Sequence, residues 1–461
     1  MRPNILLLFP DQHRGDWLPY DQDMKLKLGV PDLNLRMPVI RAMMERGLTF
    51  TNCVTPAPLC APARACLASG RVYRNCRVAD NSENYDLSLK TFYGILKQGG
   101  YSVGGVGKFD LNKADLDWGP HWHSQLRDLG FSRILDNEGK VDAVIAYTRH
   151  VGDGPYMQYL EDNGCADIHV ADMTDRGNSA KATPLPDVHY CDNWIGRNGL
   201  QMIEEFPRKQ PWFLQVNFSG PHNPWDITRS MKDRWKDEPM SQPVQWDRQE
   251  DIHAIRQNYA AMLENIDRNC GMLIDAVRRR GELDNTIIVY AADHGEMLGD
   301  HNRFNKSRPE QSSIHIPMIV DARELGGRQG QLDHSPVELQ DLAATFLDYA
   351  GLPFDGPCES LSLRPLIEGK TDRIRDINCS QLHVKKLLSY AAKSGAAPAL
   401  PRPFVTVSDG RYKLTMWEDG ERNLFDLSRD PLECEDLLEK EPDIAKELER
   451  KYRFRQHQES H

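Results

Sequence analysis

The 461-residue sequence predicts an α/β fold with a large, mainly parallel sheet flanked by helices and a smaller C-terminal α+β unit. Two observations carry that reading. Short apolar runs alternate with longer amphipathic segments through most of the chain, the pattern of βαβ units. After about Gly369 the alternation gives way to short strands joined by turns.

Taken in order, the first strand is Asn4–Phe9, an unbroken apolar run closed by Pro10 and Asp11. Helices are expected over Val39–Arg46 and Leu87–Gln98, and a strand over Ser102–Gly107. Helix Asn193–Phe206 precedes strand Trp212–Phe218. The long helix Ile252–Arg280 carries Tyr259, Met262, Ile266, Leu273 and Val277 at near-helical spacing, a stripe for core packing. Strands Thr286–Ala291 and Pro317–Val320 follow, then helix Val337–Tyr349. Phe404–Ser408, a turn at Asp409-Gly410 and Arg411–Trp417 read as a hairpin. A last helix is expected near Ile444–Phe454. The division is therefore 1–370 for a large α/β domain and 371–461 for a C-terminal subdomain. The stretch 111–190, poor in periodicity and rich in Gly, Asp and His, reads as loops laid over the carboxyl ends of the strands, where such sheets bind ligands.

Composition narrows the function. A net charge of −11 argues against nucleic acid as a partner, and no run approaches the roughly 20 apolar residues a membrane helix needs. Residues Ile5–Phe9 are too short an apolar run for a secretory signal. The ten cysteines show no regular spacing, so reduced thiols and a cytoplasmic location are expected.

Cys60-Ala61-Pro62-Ala63-Arg64 opens a predicted helix whose N-terminus favours an anion. Asp11-Gln12 and Asp293-His294 each close an apolar strand, and in a parallel sheet both pairs can meet at one edge as an oxygen-rich shell for a divalent cation. Lys108 follows Gly107, His222 lies in Pro221-His222-Asn223-Pro224, and Lys306 comes after the second pair.

In this order and spacing the motifs resemble those of the formylglycine-dependent (type I) sulfatases of the alkaline phosphatase superfamily. The resemblance covers nearly the whole chain, including Tyr412-Lys413-Leu414 and Leu424-Phe425-Asp426-Leu427 near its end. It implies an alkaline-phosphatase-like fold and a hydrolase releasing sulfate from a sulfate ester. It also implies that a maturation enzyme oxidises Cys60 to Cα-formylglycine, whose hydrate attacks sulfur. Asp11, Gln12, Asp293, His294 and residue 60 would hold one divalent cation, with Ca²⁺ favoured over Mg²⁺ or Mn²⁺. Arg64 and Lys108 would support the nucleophile and the sulfate oxygens. His222 or Lys306 would protonate the leaving group, with His222 favoured because imidazole titrates near neutral pH.

Three departures from the family pattern stand out. Gln12 with His294 is similar to the arrangement of phosphonate monoester hydrolases. Ala63 stands where Ser is common. Asp110 replaces the histidine of a Lys-x-His motif, where it could accept a proton or bind a sugar hydroxyl. His301, Arg303 and His315 are further candidates for substrate contact. The expected substrate is a small sulfated carbohydrate, with Trp118, His121, Trp122 and His123 available to stack on or bond to a ring. One alternative is a phosphonate monoester or phosphodiester hydrolase using the same nucleophile. The other is a catalytically silent, metal-containing carbohydrate-binding protein.

Overall fold

The computed structural model describes residues 2–119, 124–150, 154–384 and 401–459. Ten strands precede the C-terminal region: β1 Asn4–Asp11, β2 Leu48–Phe50, β3 Cys53–Val54, β4 Ser102–Gly107, β5 Arg133–Asp136, β6 Trp212–Pro221, β7 Thr286–Ala291, β8 Met318–Asp321, β9 Gln331–Asp333 and β10 Val337–Glu338. Eight of them form one sheet in the order β5-β4-β6-β1-β7-β8-β2-β9. The run from β5 to β7 is parallel throughout, whereas β8 lies antiparallel to both β7 and β2. The sheet is therefore mixed but mainly parallel.

The side chains of β1 explain its central place. Leu6 and Leu8 join one apolar cluster, with the helices Cys191–Glu205 and Ile252–Arg279. Ile5, Leu7 and Phe9 join another on the opposite face, with the helices Cys60–Ser69, Phe92–Gln98 and Asp341–Ala350. Alternation along a strand buried on both sides produces this division. The stripe read on the long helix is core: Tyr259, Met262, Ile266, Leu273 and Val277 are all buried.

Two helices start later than expected. Thr91 accepts from the Gly94 N–H and starts its helix at Phe92, because Leu87–Lys90 is spent on turns. Val337–Glu338 pairs in parallel with Cys53–Val54, so the helix expected from Val337 begins only at Asp341. The segment 111–190 also holds more regular structure than its pattern announced. It supplies edge strand β5 and the helices Val141–Arg149, Pro155–Asp162 and Ala166–Arg176.

The C-terminal sheet is antiparallel, β11 Asn378–Leu382, β12 Phe404–Ser408, β13 Tyr412–Trp417 and β14 Arg422–Asp426. Val407, Leu414 and Leu424 on its strands pack against Ala445, Leu448 and Tyr452 of helix Pro442–Gln458. Arg455 of that helix reaches Glu338 at 2.8 Å. No helix among the described residues is long and apolar enough to cross a membrane.

Candidate active site

Four adjacent parallel strands deliver the site at their carboxyl ends. β1 ends in Asp11, β4 is followed by Lys108, β6 by His222, and β7 by Ala292 and then Asp293-His294. Gly107 makes one close approach possible: its φ is +103°, and a Cβ there would lie 1.8 Å from the Asn217 carbonyl oxygen. Gln12 itself takes φ +72°, a left-handed conformation uncommon outside glycine and held here by its surroundings.

Cys60 is the first residue of helix Cys60–Ser69, all ten residues of which are buried. Ala61, Ala63, Ala65 and Ala68 let the helix pack closely, and Gly70 ends it in the left-handed conformation. Pro62 sits in the first turn, where no intrahelical N–H bond is lost. Leu59 offers no capping side chain, and the Ala61 N–H donates instead to Asn81 Oδ1 at 3.0 Å.

Around Cys60 the charges interlock. Its Sγ lies 3.2 Å from His294 Nε2 and 3.8 Å from Lys108 Nζ. Arg64, one turn on, donates to Asp293 at 3.0 Å, to Asp11 at 3.2 Å and to the Lys108 carbonyl. Lys108 also pairs with Asp11. Burial alone would raise the Asp11 carboxyl, but Lys108 and Arg64 hold it well below the usual carboxylate range. Burial likewise opposes ionisation of the Cys60 thiol, yet Lys108 and Lys306 bring it below its ordinary value. For His294 the downward push of burial is outweighed by Asp293 and Cys60.

Asp11, Cys60, Asp293 and His294 present one ligand atom each within 4.8 Å of one another, all buried. Among the described residues Asp11 Oδ1 has no hydrogen-bond partner, and an orphaned buried carboxylate oxygen is costly unless a cation meets it. The donor set of two carboxylates, an imidazole and the atom at position 60 therefore fits a divalent cation. Gln12, the fifth residue the resemblance assigns to the cation, has its Oε1 accepting from Lys306 Nζ at 2.6 Å and its Nε2 donating to Glu296.

His222 and Lys306 face each other, Nε2 to Nζ, at 2.6 Å. His222 Nδ1 faces the Asn223 carbonyl, which only accepts, so Nδ1 carries the ring proton and Nε2 accepts from Lys306. Burial, then Lys306 and Lys108, push this imidazole well below its ordinary range. In this pair the shared hydrogen therefore lies on the Lys306 side of the contact.

These groups open onto a cavity of about 170 Å³ lined by Cys60, Lys108, His222 and Lys306 together with Asn81, Lys113, Glu138, Lys140 and Asp142. The latter five escaped sequence reasoning, since lone polar residues in an aperiodic stretch carry no signal. Asp110 lies behind the cavity wall. It pairs with Lys108 at 3.2 Å and Lys113 at 3.1 Å. His301, Arg303 and His315 also lie outside the cavity. His301 is bonded to Gln245 and the Leu432 carbonyl, Arg303 is exposed, and His315 lines a separate cavity beside Arg14 and Asp16. Trp118 is buried in the protein and offers no face to a sugar. His121, Trp122 and His123 lie outside the described residues.

The family description "Sulfatase" matches residues 3–352, about three quarters of the chain. The chain belongs to the sulfatase family. It is accordingly a sulfuric ester hydrolase, and the silent-binder alternative falls away. A second description, "N-sulphoglucosamine sulphohydrolase, C-terminal", matches residues 299–458. The chain is 26% identical to an arylsulfatase of Clostridium perfringens, over 96% of this chain and 91% of that one. It is also 26% identical to a choline-sulfatase of Rhizobium meliloti, over 95% and 83% of the two chains. Among solved structures, a phosphonate monoester hydrolase of Agrobacterium radiobacter superposes with TM-score 0.79 at 20% identity, covering 99% and 96% of the two chains. A protein in complex with its substrate D-glucosamine-2-N,6-O-disulfate superposes with TM-score 0.75 at 17% identity, over 100% and 98%. These similarities establish the alkaline-phosphatase-like fold.

Proposed function

We propose that this sulfatase releases inorganic sulfate from a small sulfated carbohydrate, using residue 60 as nucleophile beside one divalent cation. The observation that carries the reading is the state of Lys306. Lys108, Lys113 and Lys140 are each held by a carboxylate. Among the described residues Lys306 has none, its Nζ meeting only Gln12 and His222. One uncompensated cation beside the nucleophile suits a monoanion such as a sulfate monoester better than a doubly charged phosphate monoester. The cavity is lined mostly by polar side chains, and no Phe, Tyr or Trp ring lines it among the described residues, which favours a hydroxylated leaving group over an aryl one.

Oxidised to Cα-formylglycine by a maturation enzyme, residue 60 supplies a hydroxyl through the hydrate of its aldehyde. A divalent cation, with Ca²⁺ favoured over Mg²⁺ or Mn²⁺, would draw charge from the sulfate oxygens. Arg64 orients Asp11 and Asp293 from behind. Lys108 offers an N–H to a nonbridging oxygen, and Lys306 gives the bridging oxygen a proton as the alcohol leaves. His222 holds Lys306 in line. The segment 111–190 shapes access through Lys113, Glu138, Lys140 and Asp142. Ten free cysteines support a reducing, cytoplasmic setting.

A phosphonate monoester or phosphodiester is also monoanionic, and Gln12 with His294 suits it as well. Release of sulfate from a panel of sulfated sugars, measured beside hydrolysis of a phosphonate monoester on one preparation, decides the matter. Faster turnover of the phosphonate would overturn the sulfate reading.

A further inference from the structure

The loop that leaves edge strand β5 runs beside the active site. Its Gly139 takes φ +78°, and a Cβ there would meet Lys108 Cδ and Cε at 3.4 Å. Lys140 comes next and lines the cavity, and its side chain is only 2% exposed. An ammonium has three N–H groups to place. Asp226 Oδ1 takes one at 2.5 Å and the Pro224 carbonyl another at 3.0 Å. Among the described residues the third meets no protein acceptor. Asp226 offsets the charge of Lys140, so this N–H suits a neutral oxygen better than a second sulfate.

The segment that holds Lys140 is itself fixed. The Trp225 carbonyl accepts from Asn258 Nδ2 at 2.7 Å, and the Asp226 carbonyl from the Tyr190 hydroxyl at 2.9 Å. Asn223, which precedes Pro224, lines the same cavity. Its side-chain Oδ1 is buried and, among the described residues, has no hydrogen-bond partner. An orphaned buried acceptor is costly until a donor reaches it. One stretch of wall, from Asn223 to Asp226, thus carries a spare acceptor and holds a spare donor beside it. None of these residues belongs to the set that would hold the cation, so the arrangement does not depend on metal binding.

We infer that Lys140, fixed by Asp226, and Asn223 form a subsite for one hydroxyl of the leaving alcohol. A hydroxyl accepts and donates at a single oxygen, and so meets the Lys140 N–H and the Asn223 oxygen together. The subsite sets specificity and takes no part in breaking the ester bond. The inference deepens the proposed function and rests on its reading of the substrate as a hydroxylated sulfate ester.

The test uses glucose 3-sulfate and glucose 6-sulfate, their monodeoxy analogues, and ethyl sulfate, which has no hydroxyl. With the wild type, loss of one particular hydroxyl should cost about 10–100-fold in kcat/KM, the worth of one hydrogen bond to a charged group. Asn223→Leu should lose most of this preference. So should the double variant Lys140→Met with Asp226→Asn, which removes the pair without stranding a buried charge. Looser packing would slow every ester alike and leave the ratio unchanged. A wild type indifferent to every deoxy position, or folded variants that keep the preference, overturns the inference. If the double variant does not fold, Asn223→Leu decides alone. If neither folds, or if the wild type releases no sulfate from any ester and the proposed function fails, a crystal structure of the wild type with glucose 6-sulfate decides. A sugar hydroxyl within about 3.2 Å of both Lys140 Nζ and the Asn223 side chain supports the subsite; a sugar bound elsewhere, or not bound, refutes it.

Discussion

Replacing Arg64 with methionine removes the charge that holds two buried carboxylates together. The guanidinium lies 3.2 Å from Asp11 and 2.9 Å from Asp293, all three side chains being at most 3% exposed. Methionine keeps most of the apolar stem and the contact with Phe9, whose ring lies 5.2 Å below the guanidinium. What is lost is the partner of Asp293 and one of two cations on Asp11. Breaking a buried pair in this way costs about 3–5 kcal/mol, because the remaining charge stays desolvated. Unfolding entropy of about 2.1 cal/mol/K per residue amounts to roughly 1 kcal/mol/K for a chain of this length, so the melting temperature should fall by about 3–5 °C in chelator-treated protein. A divalent cation bound among Asp11, Asp293 and His294 would compensate part of the exposed carboxylate charge. Adding Ca²⁺ should therefore raise the melting temperature of the variant more than that of the wild type. Calorimetry with and without chelator measures both effects. A variant that melts with the wild type in chelator, or gains no more from Ca²⁺, would refute the electrostatic account of Arg64.

Chelation, or replacement of Asp11 or Asp293 by Ala, should abolish sulfate release, and full turnover in metal-free protein would sink the site assignment. Mass spectrometry of active enzyme should find the Cys60 peptide lighter by the difference between a –CH₂SH and a –CHO side chain; full activity with the thiol intact contradicts formylglycine. Lys306→Ala should slow alkyl sulfates about 10²–10⁴-fold and a nitrophenyl sulfate far less, since nitrophenolate needs little protonation; equal losses would make Lys306 an electrostatic contact only. Burial, partly offset by Lys140, pushes the Asp192 carboxyl up from an ordinary 3.8 to about 6. The folded state then binds a proton that the unfolded chain has released, so stability contributed below pH 3.8 is lost as pH rises to about 6. Asp192→Asn keeps an oxygen for the Ser219 and Gly220 N–H groups, which both donate to Oδ1 at 2.7 and 3.1 Å. Its melting temperature relative to wild type should climb between pH 4 and 6, by an amount equivalent to about 3 kcal/mol; a pH-independent difference would show that Asp192 does not titrate there.

Cys60, Asp11, Asp293 and the three cations around them were legible as neighbours because each stands in a motif or closes an apolar strand. A strand end is a fixed place in a parallel sheet, so order along the chain translates into proximity at one edge. His301, Arg303 and His315 illustrate the limit. They follow Asp293-His294 closely in sequence, but the backbone turns left-handed at Leu298, His301, Asn302 and Asn305, and only Lys306 returns to the site. Nearness in a loop does not carry through such turns. Trp118 misled in a similar way, because an aromatic residue in an aperiodic segment is as well placed to pack as to bind.

From residues alone came the α/β class, the C-terminal hairpin and terminal helix, the family and the charged groups at the heart of the site. Those depend on periodicity and on local motifs, which are properties of neighbouring residues. Tertiary structure decided the antiparallel course of β8, the division of apolar clusters across the sheet, and the cavity wall of Asn81, Lys113, Glu138, Lys140 and Asp142. It also decided protonation, by setting His222 Nδ1 against a carbonyl and Nε2 against Lys306. Which proton sits where depends on desolvation and on partners as much as 294 residues apart in the chain, as Gln12 and Lys306 are, and that information exists only once the chain is folded.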